Sequence, residues 1–249
     1  SSTSRGLGDV YKRQVYNIAK QKDVSAADYN YDGKVDLYKE MAFGHAYYAS
    51  SFDKGGKTTY LHDIVGAYMD GRDMLVAADA NALSDSQRDQ LKAYAKIIKT
   101  NWEKVIAEAV FKYAGETYED MVKIEAILES NGDVAKAWRN YAKHWGELKG
   151  FALALQVGGK DMGAVSVRLN RLIGHSPLLL GNTQVTGVDS NGEYIQSNSE
   201  SWGGYMAHML KVQNLMVDEF AVVAKSHDQT AGLAELVKTL GGKSSAEND

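Results

Sequence analysis

The sequence predicts an all-α fold, an antiparallel bundle of about seven helices with one long polar loop. Three observations carry that expectation. The 249 residues include a single proline, Pro177, and helix interiors exclude proline more strongly than any other residue. Apolar residues recur in steps of three and four over long stretches. Glycines fall where those stretches end, as helix C-termini favour.

Residues 37–51 (LYKEMAFGHAYYASS) form a short apolar helix ending before Asp53-Lys54-Gly55-Gly56. A second helix covers 60–82 and aligns Ile64, Tyr68, Leu75 and Ala78. Ser84 and Gln87 have the spacing of a capping box, in which hydroxyl and amide satisfy free N–H groups reciprocally. The helix after it, 85–114, carries Leu91, Tyr94, Ile98, Trp102, Val105 and Ala109 on one face and stops at Gly115. Another spans 117–130 and ends at Asn131-Gly132. Residues 133–157 place Ala137, Tyr141, His144, Leu148, Phe151 and Leu155 on one stripe, closed by Gly158-Gly159. A shorter helix, 161–173, leads to Gly174-His175-Ser176-Pro177. Residues 181–200 are polar and rich in Gly, Ser and Asn, which predicts a loop whose only strands form a hairpin at Asn191-Gly192. Trp202, Tyr205, Met209, Val212, Met216, Phe220 and Val223 mark one more long helix, and 230–240 a short last one. The helical domain is thus expected to run over 15–242, with 243–249 a disordered tail.

The first fourteen residues, SSTSRGLGDVYKRQ, show no apolar periodicity and no signal-peptide core. They resemble a translated library adapter, which implies that they are not native and that the natural N-terminus is missing. Composition excludes several classes of function. With 44% hydrophobic and 24% charged residues the chain is globular. The absence of cysteine excludes disulfides, thiol nucleophiles and thiolate metal sites. A net charge of −4 provides no footprint for nucleic acid. No apolar run reaches transmembrane length.

One motif has a spacing that specifies chemistry. Asp28, Asn30 and Asp32, followed by Gly33, match positions 1, 3, 5 and 6 of an EF-hand or dockerin-type Ca²⁺ loop. Lys34 would ligate through its backbone carbonyl and Asp36 directly or through water. Lys39 stands at position 12 where a bidentate acid is usual, and Glu40 lies one residue late. Weak calcium binding is the expectation; an Asx-rich turn without an ion is the alternative. A second polar place is His144-Trp145-Gly146-Glu147, since His and Glu three apart share a helix face and bundles build metal sites from such pairs. His45, His62, Asp63, Glu103 and Glu108 are further ligands that neighbouring helices could bring to it, for Zn²⁺ or Fe. A core histidine hydrogen-bonded to Glu147 is the structural alternative. HExxH, GxSxG, P-loop and GxGxxG patterns are absent, and no catalytic residue is assigned.

The segments KEMAFGHAYYASS (39–51), AYMDGRDML (67–75), NWEKVIAEAVFKYAG (101–115) and YAKHWGELKGFALAL (141–155) occur in an order that resembles the domain-of-unknown-function family 4856 of bacterial envelope proteins. The resemblance covers roughly 25–225. It implies a periplasmic or cell-surface location and a secretion or lipoprotein leader, hence a lipid anchor upstream. The helical pattern is also similar, more distantly, to imelysin-like proteins, whose GxHxxE signature implies iron uptake or a metallopeptidase activity. Here His144 and Glu147 keep its last places but Ala142 replaces the glycine, while His45 has Tyr48 where the acid belongs. Two functions are therefore expected in competition. One is a non-catalytic envelope module that binds a ligand, metal or partner protein; the other is a metal-dependent hydrolase or iron-uptake protein using His144 and Glu147.

Overall fold

The computed structural model describes residues 44–79, 81–157 and 161–241. The adapter-like segment, the calcium-loop residues Asp28, Asn30, Asp32, Lys34, Asp36 and Glu40, and the C-terminal tail lie outside the described residues. The fold is all-α. Seven helices are present among the described residues: α1 (Gly44–Asp53), α2 (Tyr60–Ala78), α3 (Asp85–Glu129), α4 (Ala135–Val157), α5 (Gly163–Ile173), α6 (Trp202–Phe220) and α7 (Leu233–Thr239). One small hairpin, β1 (Thr183–Val188) and β2 (Tyr194–Asn198), precedes α6. The chain groups into two compact units, one ending at Val105 and one beginning at Ile106, with α3 running through the boundary.

In the first unit, α1 and α2 bury Ala46, Ala49 and Phe52 with Tyr60, Leu61, Ile64 and Ala67. The Asp53 carboxylate sets the turn between them. It accepts the amides of Tyr60 and Leu61, both at 2.8 Å, and the Thr58 hydroxyl at 2.7 Å. A negative charge at these free N–H groups also complements the dipole of α2. The inward face of α2 is not the expected one: Tyr68 and Leu75 are exposed, and burial follows Tyr60, Ile64, Ala67 and Gly71 instead. The Ser84 capping box forms as the spacing predicts. Gln87 N donates to the Ser84 hydroxyl at 3.2 Å, and Ser84 N donates to the Gln87 side chain at 2.9 Å.

The helix begun there does not stop at Gly115. It continues to Glu129 as one element of 45 residues, so the expected helices 85–114 and 117–130 are a single α3. Gly115 is required by packing, not by termination. A Cβ built on it would sit 2.0 Å from the His227 carbonyl oxygen and 2.6 Å from Gln213 Nε2. The true stop is Asn131, which adopts the left-handed conformation at φ 55, while Gly132 N donates to the Ile127 carbonyl at 2.8 Å.

In the second unit, the later part of α3 runs antiparallel to α4, as a short connection requires. Tyr113 stacks on Phe151 with centroids 5.7 Å apart, and farther along α3 Asp120 meets His144, seven residues earlier on α4. The α4 stripe is as expected, with Tyr141, Leu148 and Leu155 buried. Helix α6 lies in the middle of this unit and is buried almost all round from Gly204 to Met216. Trp145 Nε1 donates to the Tyr205 hydroxyl (2.7 Å), which donates to the Ile173 carbonyl (2.6 Å), joining α4, α6 and the end of α5. α6 ends at Phe220, so Val223 is not part of it. The expected hairpin forms with Gly192 at φ 86 and Val188 opposite Tyr194.

Candidate functional site

His144 enters the second unit from the α4 stripe, and its partners come from α3. Nδ1 lies 2.7 Å from Asp120 Oδ2, and Nε2 faces Glu116 Oε2 at 3.9 Å. The ring packs on Tyr113 at 6.0 Å. Glu147, the neighbour suggested by helix spacing, is not the residue His144 meets. Its Oε2 is buried without a hydrogen-bond partner, 3.8 Å from Lys143 Nζ.

A second histidine joins the cluster from the segment after α6. His227 Nε2 lies 3.2 Å from Glu116 Oε1, and its Nδ1 lies 3.1 Å from both oxygens of Glu119. Lys112 Nζ holds Glu116 Oε2 at 2.7 Å and sits 4.0 Å over the Tyr113 ring. Lys123 reaches Asp120 Oδ1 at 3.3 Å. Three carboxylates, two lysines and two imidazoles therefore share one region. With both imidazoles neutral its formal charge is negative, so it favours a proton or another cation.

The loop bearing His227 is fastened at two further points. The wholly buried Glu108 carboxylate accepts the amides of Val223 (2.5 Å), Ala224 (2.7 Å) and Lys225 (3.1 Å). The Gln213 side chain donates to the carbonyls of Phe111 (2.9 Å) and His227 (2.8 Å) and accepts from Gln229 N (2.9 Å). This loop holds Ala221, Lys225 and His227 at positive φ, and dense anchoring is what allows non-glycine residues to stay there.

Beside the cluster, at the α3–α4 corner, an open groove of about 510 Å³ is lined by Asp120, Lys123, Ile127, Asp133, Lys136 and Asn140. Asp120 thus faces the groove and His144 together. Ammonium and carboxamide donors over an apolar floor suit a small ligand bearing an oxygen anion.

The other sequence candidates stand apart from this cluster. His45, His62, Asp63 and Glu103 belong to the first unit. His62 is exposed beside Asp63, Glu103 lies 3.7 Å from Lys99, and His45 stacks against Trp102 at 5.1 Å. Burial lowers the His45 imidazole from its ordinary value of 6.5. The unfolded chain therefore binds a proton first as pH falls through 6.5, and the stability His45 permits above that value is lost below it. Unfolding midpoints between pH 7 and 5 are expected to fall less in His45→Phe, which keeps an aromatic against Trp102, than in wild type. Parallel profiles would remove His45 as the cause.

Sequence reasoning missed Glu116, Glu119, Asp120 and His227. The signal for two of them was present: Ala109, Tyr113, Glu116 and Asp120 follow at steps of four, three and four. Ending the helix at Gly115 broke that series. His227 sits in a stretch with no period, so nothing local pointed to it. Compared with family models, curated proteins and solved structures, the chain matches none.

Proposed function

We propose that the protein is a non-catalytic helical binding module of the bacterial envelope, periplasmic or surface-exposed. The observation that supports it best is the pairing of His144. Its Nδ1 is engaged by Asp120, its Nε2 looks onto Glu116, and no hydroxyl nucleophile takes either place among the contacts described for it. A hydrolase or iron-uptake site using His144 and Glu147 needs both side chains on one ion, and they face different partners. The groove at the α3–α4 corner is the recognition surface in this reading. Envelope location rests on the resemblance to family 4856. No helix among the described residues is long and apolar enough to cross a membrane. The test is a panel of peptidase and esterase substrates on the purified chain beside His144→Gln. Turnover that the substitution abolishes would overturn the proposal.

The calcium loop belongs to the same proposal. An ion bound by the folded loop alone stabilises by mass action. Millimolar Ca²⁺ is expected to raise the melting temperature through Asp28, Asn30, Asp32 and Asp36, and the double substitution Asp28→Ala, Asp32→Ala to abolish the shift. An unchanged shift in that variant would exclude these ligands.

A further inference from the structure

We infer that Glu116, His144 and His227 form a zinc-binding site that clips the 221–229 loop to α3 and α4. This inference stands apart from the groove and from the non-catalytic reading. Three features carry it.

First, the two histidines come from different elements and turn the same nitrogen toward the same carboxylate. His227 Nε2 is 3.2 Å from Glu116 Oε1, and His144 Nε2 is 3.9 Å from Glu116 Oε2. Ligand atoms bound to one tetrahedral zinc at about 2.0–2.1 Å lie about 3.3 Å from each other. One edge of such a site is already at that length, and the other is slightly open.

Second, each of the three groups is oriented from behind. Asp120 holds His144 Nδ1 at 2.7 Å, Glu119 holds His227 Nδ1 at 3.1 Å, and Lys112 holds Glu116 at 2.7 Å. A carboxylate on the far nitrogen of a ligating histidine fixes its tautomer and raises its basicity as a ligand. Two histidines arranged this way around one carboxylate are hard to explain by loop anchoring alone, which Glu108 and Gln213 already provide.

Third, the electrostatics ask for a cation. Both ring nitrogens of His227 face carboxylate oxygens, and a lone pair aimed at a carboxylate is repelled. Its Nε2 position is therefore one for a proton or for a metal ion. Imidazole and carboxylate without thiolate suit zinc among the available divalent ions. The site is empty. Among the described residues no three such side chains are already drawn in around one ion. Rotation of the Glu116 carboxylate away from Lys112, with a small inward movement of His144, would close it.

Calorimetric titration of the tag-free, EDTA-treated chain with Zn²⁺ is the test. Wild type is expected to bind one Zn²⁺ saturably and to melt at a higher temperature when loaded. The heat should vary with the ionisation enthalpy of the buffer, because protons on the imidazoles leave as the metal binds. His227→Gln and Glu116→Gln, both close in size to the residues replaced, should each weaken binding by about ten-fold or more. Circular dichroism confirms that the two variants are folded. No saturable binding by wild type, or full affinity in both folded variants, overturns the inference. Binding lost in Asp28→Ala, Asp32→Ala but kept in His227→Gln would place the ion in the N-terminal loop and overturn it equally.

Discussion

Gly115→Ala is expected to destabilise the protein by roughly 2–3 kcal/mol, although alanine is the better helix former. Glycine costs a helix interior about 1 kcal/mol relative to alanine, so intrinsic propensity argues for a gain. Packing argues against it and is larger. The added methyl would lie 2.0 Å from the His227 carbonyl oxygen, a backbone atom fixed by Gln213 and by the ion pairs of the His227 ring. It would also displace Gln213 Nε2, whose two bonds to Phe111 and His227 carbonyls are buried. The loop must retreat from α3, and the Glu116–His227 pair should loosen with it. Gly146→Ala is the control. It lies mid-helix in α4 with nothing within 4 Å of the new Cβ, and should gain about 0.5–1 kcal/mol. Urea midpoints at unchanged slope measure both. A Gly115→Ala protein as stable as wild type would contradict the close approach.

Glu108→Ala should cost roughly 3 kcal/mol or more, because one buried carboxylate serves three successive backbone amides. Removing it leaves the N–H groups of Val223, Ala224 and Lys225 without the acceptor that folds them into a left-handed turn. Unsatisfied buried donors cost about 1–3 kcal/mol each, reduced where the loop can open to water. Glu108→Gln should fall between, since one oxygen still accepts while an amide N–H now opposes a backbone N–H. Hydrogen exchange resolves the mechanism. Protection at 223–225 should vanish in Glu108→Ala, while the α4 amides around Leu148 keep theirs. Uniform loss across both would point to global unfolding instead.

The two predictions share a lesson about the 221–229 loop. It carries no periodic pattern, no proline and no turn signature stronger than Ser226 and Asp228. Its path is set by Glu108, Gln213, Glu116 and Glu119, which are 14 to 117 residues away along the chain for the bonds they make. No local window contains both halves of such a contact.

What the sequence determined by itself is what one helix turn can encode. The Ser84–Gln87 capping box, the Asn191-Gly192 hairpin and the Tyr141–Leu148–Leu155 stripe depend on neighbours three to seven residues apart, and all three are present. The all-α class follows from repeating such local preferences. The tertiary structure decided the rest. It made Gly115 a close-packing position inside one 45-residue helix where local rules read a stop. It buried α6 on every side, so that His208, Lys211 and Gln213, polar on any helical wheel, lie inside. It gave His144 to Asp120 and Glu116 across the α3–α4 pair in place of Glu147 on its own helix. The physical reason is common to all three. Helix propensity and capping are energies between near neighbours, whereas a close approach, all-round burial and a shared carboxylate exist only once distant segments have packed.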